Sequence, residues 1–504
     1  MKLRAGLIVA FVLVGACTGF SSEPAPADPV TDPSAEGGAD GGPIDGVGVV
    51  DSITLKVESG KKTWVINRPN EIKFTVTRGE RVSGRVAVTV RGLSAASAIV
   101  PATLENGVTQ GTVKFTPSAD TQQGDLALTL EATLLDSSAK ASANVDSFLR
   151  GAPGDLDTTF ATKGVIAIPA AAVSAVAPDG RIFTFRFDQT TERYLADGRL
   201  DVGFATNGRG VIPGSPLNVP RAALVVGTSV YTLLNFAGAS GSSGSILKTS
   251  LDGVKDATYG AASVGGSFRA LARSASGEIA MIGVDHVPPT GALGWVNAFG
   301  ENGAAADDGI TERPVQLSAG AWDASGLLVV GGDRLARIAT GLQHYSGANF
   351  VTIAGNISVG ASVALYGIDL EGANILVSGI DKSTGAPFMA KLKPLAIGAY
   401  PGFTFQPAAV AFDTTLPTKT FLQGDGSILQ VGRAKGALEC AITRYAANGS
   451  PDLGFGTKGV ATLPVSPCAP TNIAVQPDGR IIVDAGSLGT PAGALSTRIL
   501  RAWN

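Results

Sequence analysis

The sequence predicts an all-β protein, a two-sheet sandwich followed by a ring of repeated small sheets, and three observations lead there. First, 66 Gly and 28 Pro are spread over 504 residues, and these two poorest helix formers disfavour long helices. Second, residues 52–149 read as short runs of alternating apolar and polar residues broken by turn formers. Third, from residue 151 onward a Gly-centred hairpin theme returns at a near-constant interval.

The opening stretch, MKLRAGLIVAFVLVGACTGF, places Lys2 and Arg4 before an uncharged run from Ala5 to Ala16. That run is too short to span a bilayer permanently and reads as an export signal. Its end, Val14-Gly15-Ala16-Cys17, resembles a bacterial lipobox, which implies cleavage of residues 1–16 and a diacylglycerol on the Cys17 thiol. The other reading is an ordinary secretory signal with an incidental Cys17. Several acyl chains on one residue anchor durably, at about 0.8 kcal/mol per buried methylene. By the same resemblance, Thr18 in place of Asp favours the outer membrane. Residues 17–50 are acidic and rich in Pro and Gly, with no Lys or Arg before Lys56. Such a segment buries too little apolar surface to offset its ordering entropy, and should be a disordered tether reaching up to roughly 90 Å.

Residues 51–150 form the first folded part. Runs such as SITLKVES, EIKFTVTRG, RVAVTVRGL and GDLALTLEATL alternate with period two. About seven such strands in roughly 100 residues are the pattern of a β-sandwich. Ile53, Leu55 and Val57 should face inward, as should Ile72, Phe74 and Val76. The stretch resembles the Ig-like modules of exported bacterial proteins. It lacks the paired Cys of antibody domains, so packing alone must hold it together.

Residues 151–504 carry the repeat. Turn glycines Gly180, Gly227, Gly277, Gly326, Gly372, Gly426 and Gly479 follow one another at 46 to 54 residues, the length of one four-stranded sheet. Asp-Gly pairs suit type I′ hairpins, which need positive φ at both central residues. After each turn comes a polar-apolar strand, a second turn and an aromatic motif, best seen in ERYLADGRLDVGF, ILKTSLDGVKDATYG and ITRYAANGSPDLGFGTKG. The motif opens the region as GDLDTTFATKG, and STRILRAWN breaks off where it should follow, so the two ends read as complementary halves of one unit. A blade completed from both ends leaves no open sheet edge, and a seven-bladed β-propeller follows. The alternatives are a six- or eight-bladed ring or a β-solenoid. The stretches LDTTFATKGV, AVAPDGRI, RYLADGRLDVGFATNG and AVQPDGRIIV resemble the delta-60 repeat, a bacterial propeller-type repeat of unsettled biochemical role. The resemblance implies the architecture and brings no catalytic residue with it.

The chemistry-bearing residues are few. His286 and His344 are the only His and fall in different units without metal-spaced partners, so they read as surface or loop residues and no metal or other cofactor is expected. Cys440 lies on the strand LECAITRY and Cys468 on the link into the last unit. A bridge between neighbouring blades is expected, worth about 3.5 kcal/mol by loop entropy, with two free thiols as the alternative. Acidic spots such as ADDG and QGDGS lack calcium-loop spacing and read as turns. Arg193, Lys248, Arg337, Lys391, Arg444 and Arg498 recur after the turn glycines. They would either pair with an Asp of the following turn or line an anion-facing surface.

With 39 basic against 42 acidic residues and no basic stripe, nucleic acid is not an expected partner. The sequence therefore predicts a monomeric, membrane-anchored envelope lipoprotein. Its propeller would serve as a non-catalytic binding platform for protein, peptide or glycan, specificity residing in variable loops. The rival classes are a propeller enzyme of lyase or lactonase type, with calcium as a possible requirement, and a purely structural envelope component.

Overall fold

The computed structural model describes residues 52–212, 218–238, 241–260, 263–287, 291–314, 317–323, 326–331, 334–339, 363–372, 374–393, 403–487 and 496–504. The predicted signal, Cys17 and the tether lie outside these residues, as does His344. The described residues are all-β, with no helix among them. Residues Asp51–Asn504 make one compact unit.

The first two sheets share one core. One has the strand order Ile53–Val57, Asn70–Arg78, Gln110–Thr116, Ala98–Val100. The other runs Lys62–Val65, Lys140–Arg150, Gly124–Leu134, Val86–Arg91, Ala102–Leu104. Alternation decides which side chains meet between them: Ile72, Phe74 and Val76 from one sheet pack with Val86, Val88, Leu128 and Leu130 from the other. Ile53 is buried with them, while Leu55 and Val57 are only half-buried at the edge of the core. Trp64 closes one side, its indole N–H donating to Ser147 Oγ at 3.1 Å and its ring edge-on to Phe115.

Seven antiparallel sheets follow among the described residues. The first comprises Ala172–Val176, Ile182–Arg186, Thr190–Tyr194 and Arg209–Val211; the second comprises Asn218–Val226, Ser229–Gly238, Gly241–Ser250 and Val264–Gly265. The third holds Ser267–Arg273, Ile279–Val287, Gly291–Phe299 and Ala305–Pro314. Three strands each are described in the fourth (Ala319–Asp323, Gly326–Gly331, Arg334–Ala339) and the fifth (Val363–Glu371, Asn374–Asp381, Pro387–Leu392). The sixth contains Lys419–Leu422, Ile428–Arg433, Cys440–Tyr445 and Val460–Leu463. In the seventh, Ala469–Val475, Ile481–Ser487 and Ser496–Ala502 are completed by Val165–Ile168, which pairs antiparallel with Ser496–Ala502 from Val165↔Leu500 to Ile168↔Thr497. The first strand of each sheet packs against the first strand of the next, and Ala469–Val475 packs back against Ala172–Val176.

The hairpin turns differ in type from the expectation. At Ala177-Pro178-Asp179-Gly180 the Gly180 N–H donates to Ala177 O at 2.9 Å, the Ala177 N–H donates to Arg181 O at 2.8 Å, and only Gly180 has positive φ, at +85°. This is a type I turn closed by a left-handed glycine, the three-residue hairpin loop. Pro178 suits this geometry, since its ring fixes φ near −65° and forbids the positive value a type I′ turn needs there. Gly277, Gly426 and Gly479 close their turns with the same hydrogen-bond pair. Gly227 and Gly372 instead stand first in two-residue turns, between Val226 and Ser229 and between Glu371 and Asn374. Gly326 opens its strand, paired with Asp323.

Two joints tie the parts together. Cys440 and Cys468 form a disulfide with Cα atoms 5.3 Å apart, both fully buried in a core shared by the sixth and seventh sheets. At the other joint, the Trp503 indole N–H donates to Gln123 Oε1 at 3.0 Å, its ring lies edge-on to Phe148, and the Arg480 guanidinium sits 4.6 Å above it. Gln123 also accepts from the Thr158 N–H and donates to Leu156 O. Replacing Cys440 and Cys468 together by Ala should lower stability by about 3.5 kcal/mol if loop entropy dominates. Urea midpoints of the full chain with and without the pair check this, and an unchanged midpoint would refute it.

Candidate functional site

The recurrent cations are absorbed into the framework. Arg193 Nε donates to Asp201 Oδ2 at 2.7 Å, and its guanidinium lies 4.9 Å over the Phe204 ring. Its Nη1 reaches the next sheet, donating to Leu251 O at 2.5 Å and pairing with Asp252 at 2.9 Å. Arg444 repeats this with Asp452 at 2.7 Å, Phe455 at 4.8 Å and Asn504 Oδ1 at 2.7 Å. Lys248 pairs with Asp256 at 2.9 Å and lies 5.6 Å over Tyr259. The Thr258 hydroxyl and then Lys248 hold the Asp256 carboxyl below the usual carboxylate range. The Phe204 ring presses on Gly253 in the second turn of the following sheet, and Phe160 presses likewise on Gly198. A Cβ on Gly253 would stand 2.8 Å from the Phe204 ring, and one on Gly198 would stand 2.6 Å from Phe160. Gly198 also has φ +85°, so no larger residue fits there.

The seam between residues 152–168 and 469–503 carries the same latch from separate segments. Arg501 Nε lies 2.8 Å from Asp157 Oδ2, its Nη1 donates to Ala196 O at 2.6 Å, and its guanidinium is 4.6 Å over Phe160. Asp157 is fully buried and also pairs with Arg480 at 3.1 Å. Burial pulls the Arg501 guanidinium below its ordinary value while Asp157 opposes that pull. The repeat position assigned by sequence to Arg498 therefore belongs to Arg501. Arg498 is exposed on the same strand.

Of the two readings offered for the recurrent cations, Arg193, Lys248 and Arg444 follow the pairing one. Arg193, Lys248 and Arg444 are largely buried against their own carboxylates, and Lys391 is buried with Glu371 as its partner and 5.8 Å over Phe403. The side chains of Arg337 and His286 lie outside the described residues. Among the described residues no group of three or more His, Cys, Asp or Glu is placed to hold a metal ion.

A second set of cations went unnoticed in the sequence. Along the first strands the pairing register slips at Arg221, Arg269, Tyr366 and Thr471, each an extra residue opposite one step of its partner strand. Such bulges re-aim the unpaired residue away from the ladder. Arg221 and Arg269 are exposed there, and Lys419 opens the first strand of the sixth sheet half-buried. Burial first, and then the neighbouring Arg269 charge, pull both Arg221 and Lys419 below their ordinary values. None of the three has an acidic partner among the described residues; Arg221 lies 5.5 Å over the Phe187 ring.

One buried acid, Asp484, lies on the second strand of the seventh sheet, beside the first strand that joins the seventh sheet to the first. Asp484 pairs in register with Asn472, whose amide donates to Ser174 O in the first sheet at 3.1 Å. Burial pushes the Asp484 carboxyl up to about 7, and Ser174 draws it partly back.

Removing the Arg501 side chain takes the nearer of its two cations from the buried Asp157 carboxylate and leaves it Arg480 alone. Arg501→Met should cost about 3–5 kcal/mol in a urea titration, with part recovered by adding Asp157→Asn, whereas Arg498→Met should stay within about 0.5 kcal/mol. Equal effects at the two arginines would refute the assignment. Because the folded Asp484 binds its proton more tightly than the unfolded one, its contribution is full at low pH and is lost as pH rises from the ordinary 3.8 to about 7. Asp484→Asn should therefore raise the melting temperature at pH 8 and flatten its fall over that window; a variant curve parallel to the parent would contradict this.

No family model matches the chain, and no curated protein matches it. Among solved structures it is similar to a prolyl endopeptidase at a TM-score of 0.37 and 11% identity, over 67% of this chain and 51% of that one. The chain thus spans about half the length of that protein. It is also similar to the AfRom2 CNH domain at a TM-score of 0.37 and 9% identity, over 68% of this chain and 100% of that one. A mutant of Synechocystis apocarotenoid oxygenase follows at 0.29 and 10% identity, over 75% of this chain and 90% of that one.

Proposed function

We propose that residues 151–504 are a seven-bladed β-propeller carried behind an Ig-like sandwich, and that this propeller is a non-catalytic binding platform. The cyclic packing of first strands and the pairing of Val165–Ile168 with Ser496–Ala502 support the blade reading. In that reading the first strands line a central axis. The delta-60-like repeat, the lipid anchor at Cys17 and an outer-membrane location complete the proposal from the sequence. A rigid ring with variable loops suits recognition of a protein, peptide or glycan.

The observation that carries the platform reading is the contrast between the two sets of cations. Those of the latches are neutralised inside the framework, whereas Arg221 and Arg269 are held on bulges at sheet edges without an acidic partner among the described residues. A fold that pairs its repeat cations this thoroughly leaves these available to something outside itself. Crosslinking the full chain in envelope extracts, with peptide mapping by mass spectrometry, tests this. Partner crosslinks should cluster at one end of the first strands; crosslinks confined to residues 51–150 would sink the reading.

A further inference from the structure

We infer that Arg221, Arg269 and Lys419 form a site for a compact phosphate-bearing ligand at the axis of the sheets. The inference deepens the binding-platform reading and rests on its ring arrangement. Three separate first strands supply the residues: Asn218–Val226, Ser267–Arg273 and Lys419–Leu422. The first two strands are neighbours in the packing order. Two of the three residues occupy the bulge position, where a side chain is released from the ladder and no ladder partner faces it.

The electrostatics point the same way. Arg221 and Arg269 hold the same bulge position on two first strands that pack against each other, and the Arg269 charge bears on Lys419 as well as on Arg221. Like charges brought together in a partly desolvated place repel, and the repulsion is relieved by a counter-charge. The chain supplies counter-charges elsewhere with regularity, as Asp201, Asp256, Asp452 and Asp157 show. Here none is present among the described residues. Asp369, on the fifth first strand, has its carboxyl pushed up to about 7 by burial alone, with no cation acting on it, so it does not neutralise the cluster.

The ligand class follows from the donors. Two guanidinium forks present paired N–H groups that match the oxygens of phosphate bidentately, and an ammonium adds a point charge. Three positive charges suit a ligand with at least two negative ones, as a phosphomonoester or pyrophosphate carries. A soluble phosphate compound and the phosphate of a lipid headgroup share this chemistry.

Pyrophosphate titrated calorimetrically into the full chain at low ionic strength tests the site. The parent should bind, with affinity falling as salt rises and falling tenfold or more in Arg269→Gln. Arg269→Lys, keeping charge without the fork, should lie between, and the exposed Arg498→Gln should match the parent. Arg269 is exposed, so these substitutions leave the core intact. Equal affinity in parent and Arg269→Gln would overturn the inference. Cosedimentation with phosphatidylglycerol against phosphatidylcholine vesicles separates the sources. Capture that Arg269→Gln abolishes supports a headgroup, and pyrophosphate binding without capture supports a soluble ligand. If neither probe binds while crosslinks still cluster on the first strands, this inference falls and the platform reading stands.

Discussion

The pairing of Val165–Ile168 with Ser496–Ala502 is the constraint on which the other sheets depend. Without it the seventh sheet would present a bare edge strand, and unpaired strand edges are templates for aggregation. Hydrogen bonds alone would leave this seam no different from any hairpin. Arg501 makes it specific by carrying its charge into a fully buried contact with Asp157, so a slipped register would pull that charge pair apart in the interior. A buried pair of this kind adds little net stability, yet it penalises every wrong alternative heavily.

The same device explains how the repeat tolerates drift. A latch needs a cation, a carboxylate eight residues on and an aromatic three beyond that. Arg193, Lys248 and Arg444 satisfy the spacing, with Phe204, Tyr259 and Phe455 as the rings. At Lys391 the acid comes instead from Glu371 in its own sheet. The interaction is conserved in physics while its residues change, and loops between the elements are free to vary in length.

Much of the architecture was legible because turns and alternation are local. The all-β class, the buried Ile72, Phe74 and Val76, and the repeated glycines all follow from neighbours in sequence. The turn type did not, because an Asp-Gly pair also closes the three-residue loop, in which only the glycine takes positive φ. Arg501 was hidden for a different reason: its carboxylate sits 344 residues away at Asp157, so the eight-residue spacing that marks the other latches has no counterpart there. Counting from turn glycines then selected Arg498. The bulged Arg221 and Arg269 left no local signature, since a bulge is defined by what the partner strand does.

Trp503 sets a clock on the molecule. The sandwich has its own core, but the contact that fastens it joins Gln123 to a residue 380 positions later. At roughly 5–20 residues per second of synthesis, those partners are made on the order of 20–80 s apart. The early domain can collapse and wait, whereas the seam and the fastening of the sandwich cannot form before residues 496–503 exist. Folding of this region thus waits on one long-range event, in which contacts of high sequence separation are slow to find.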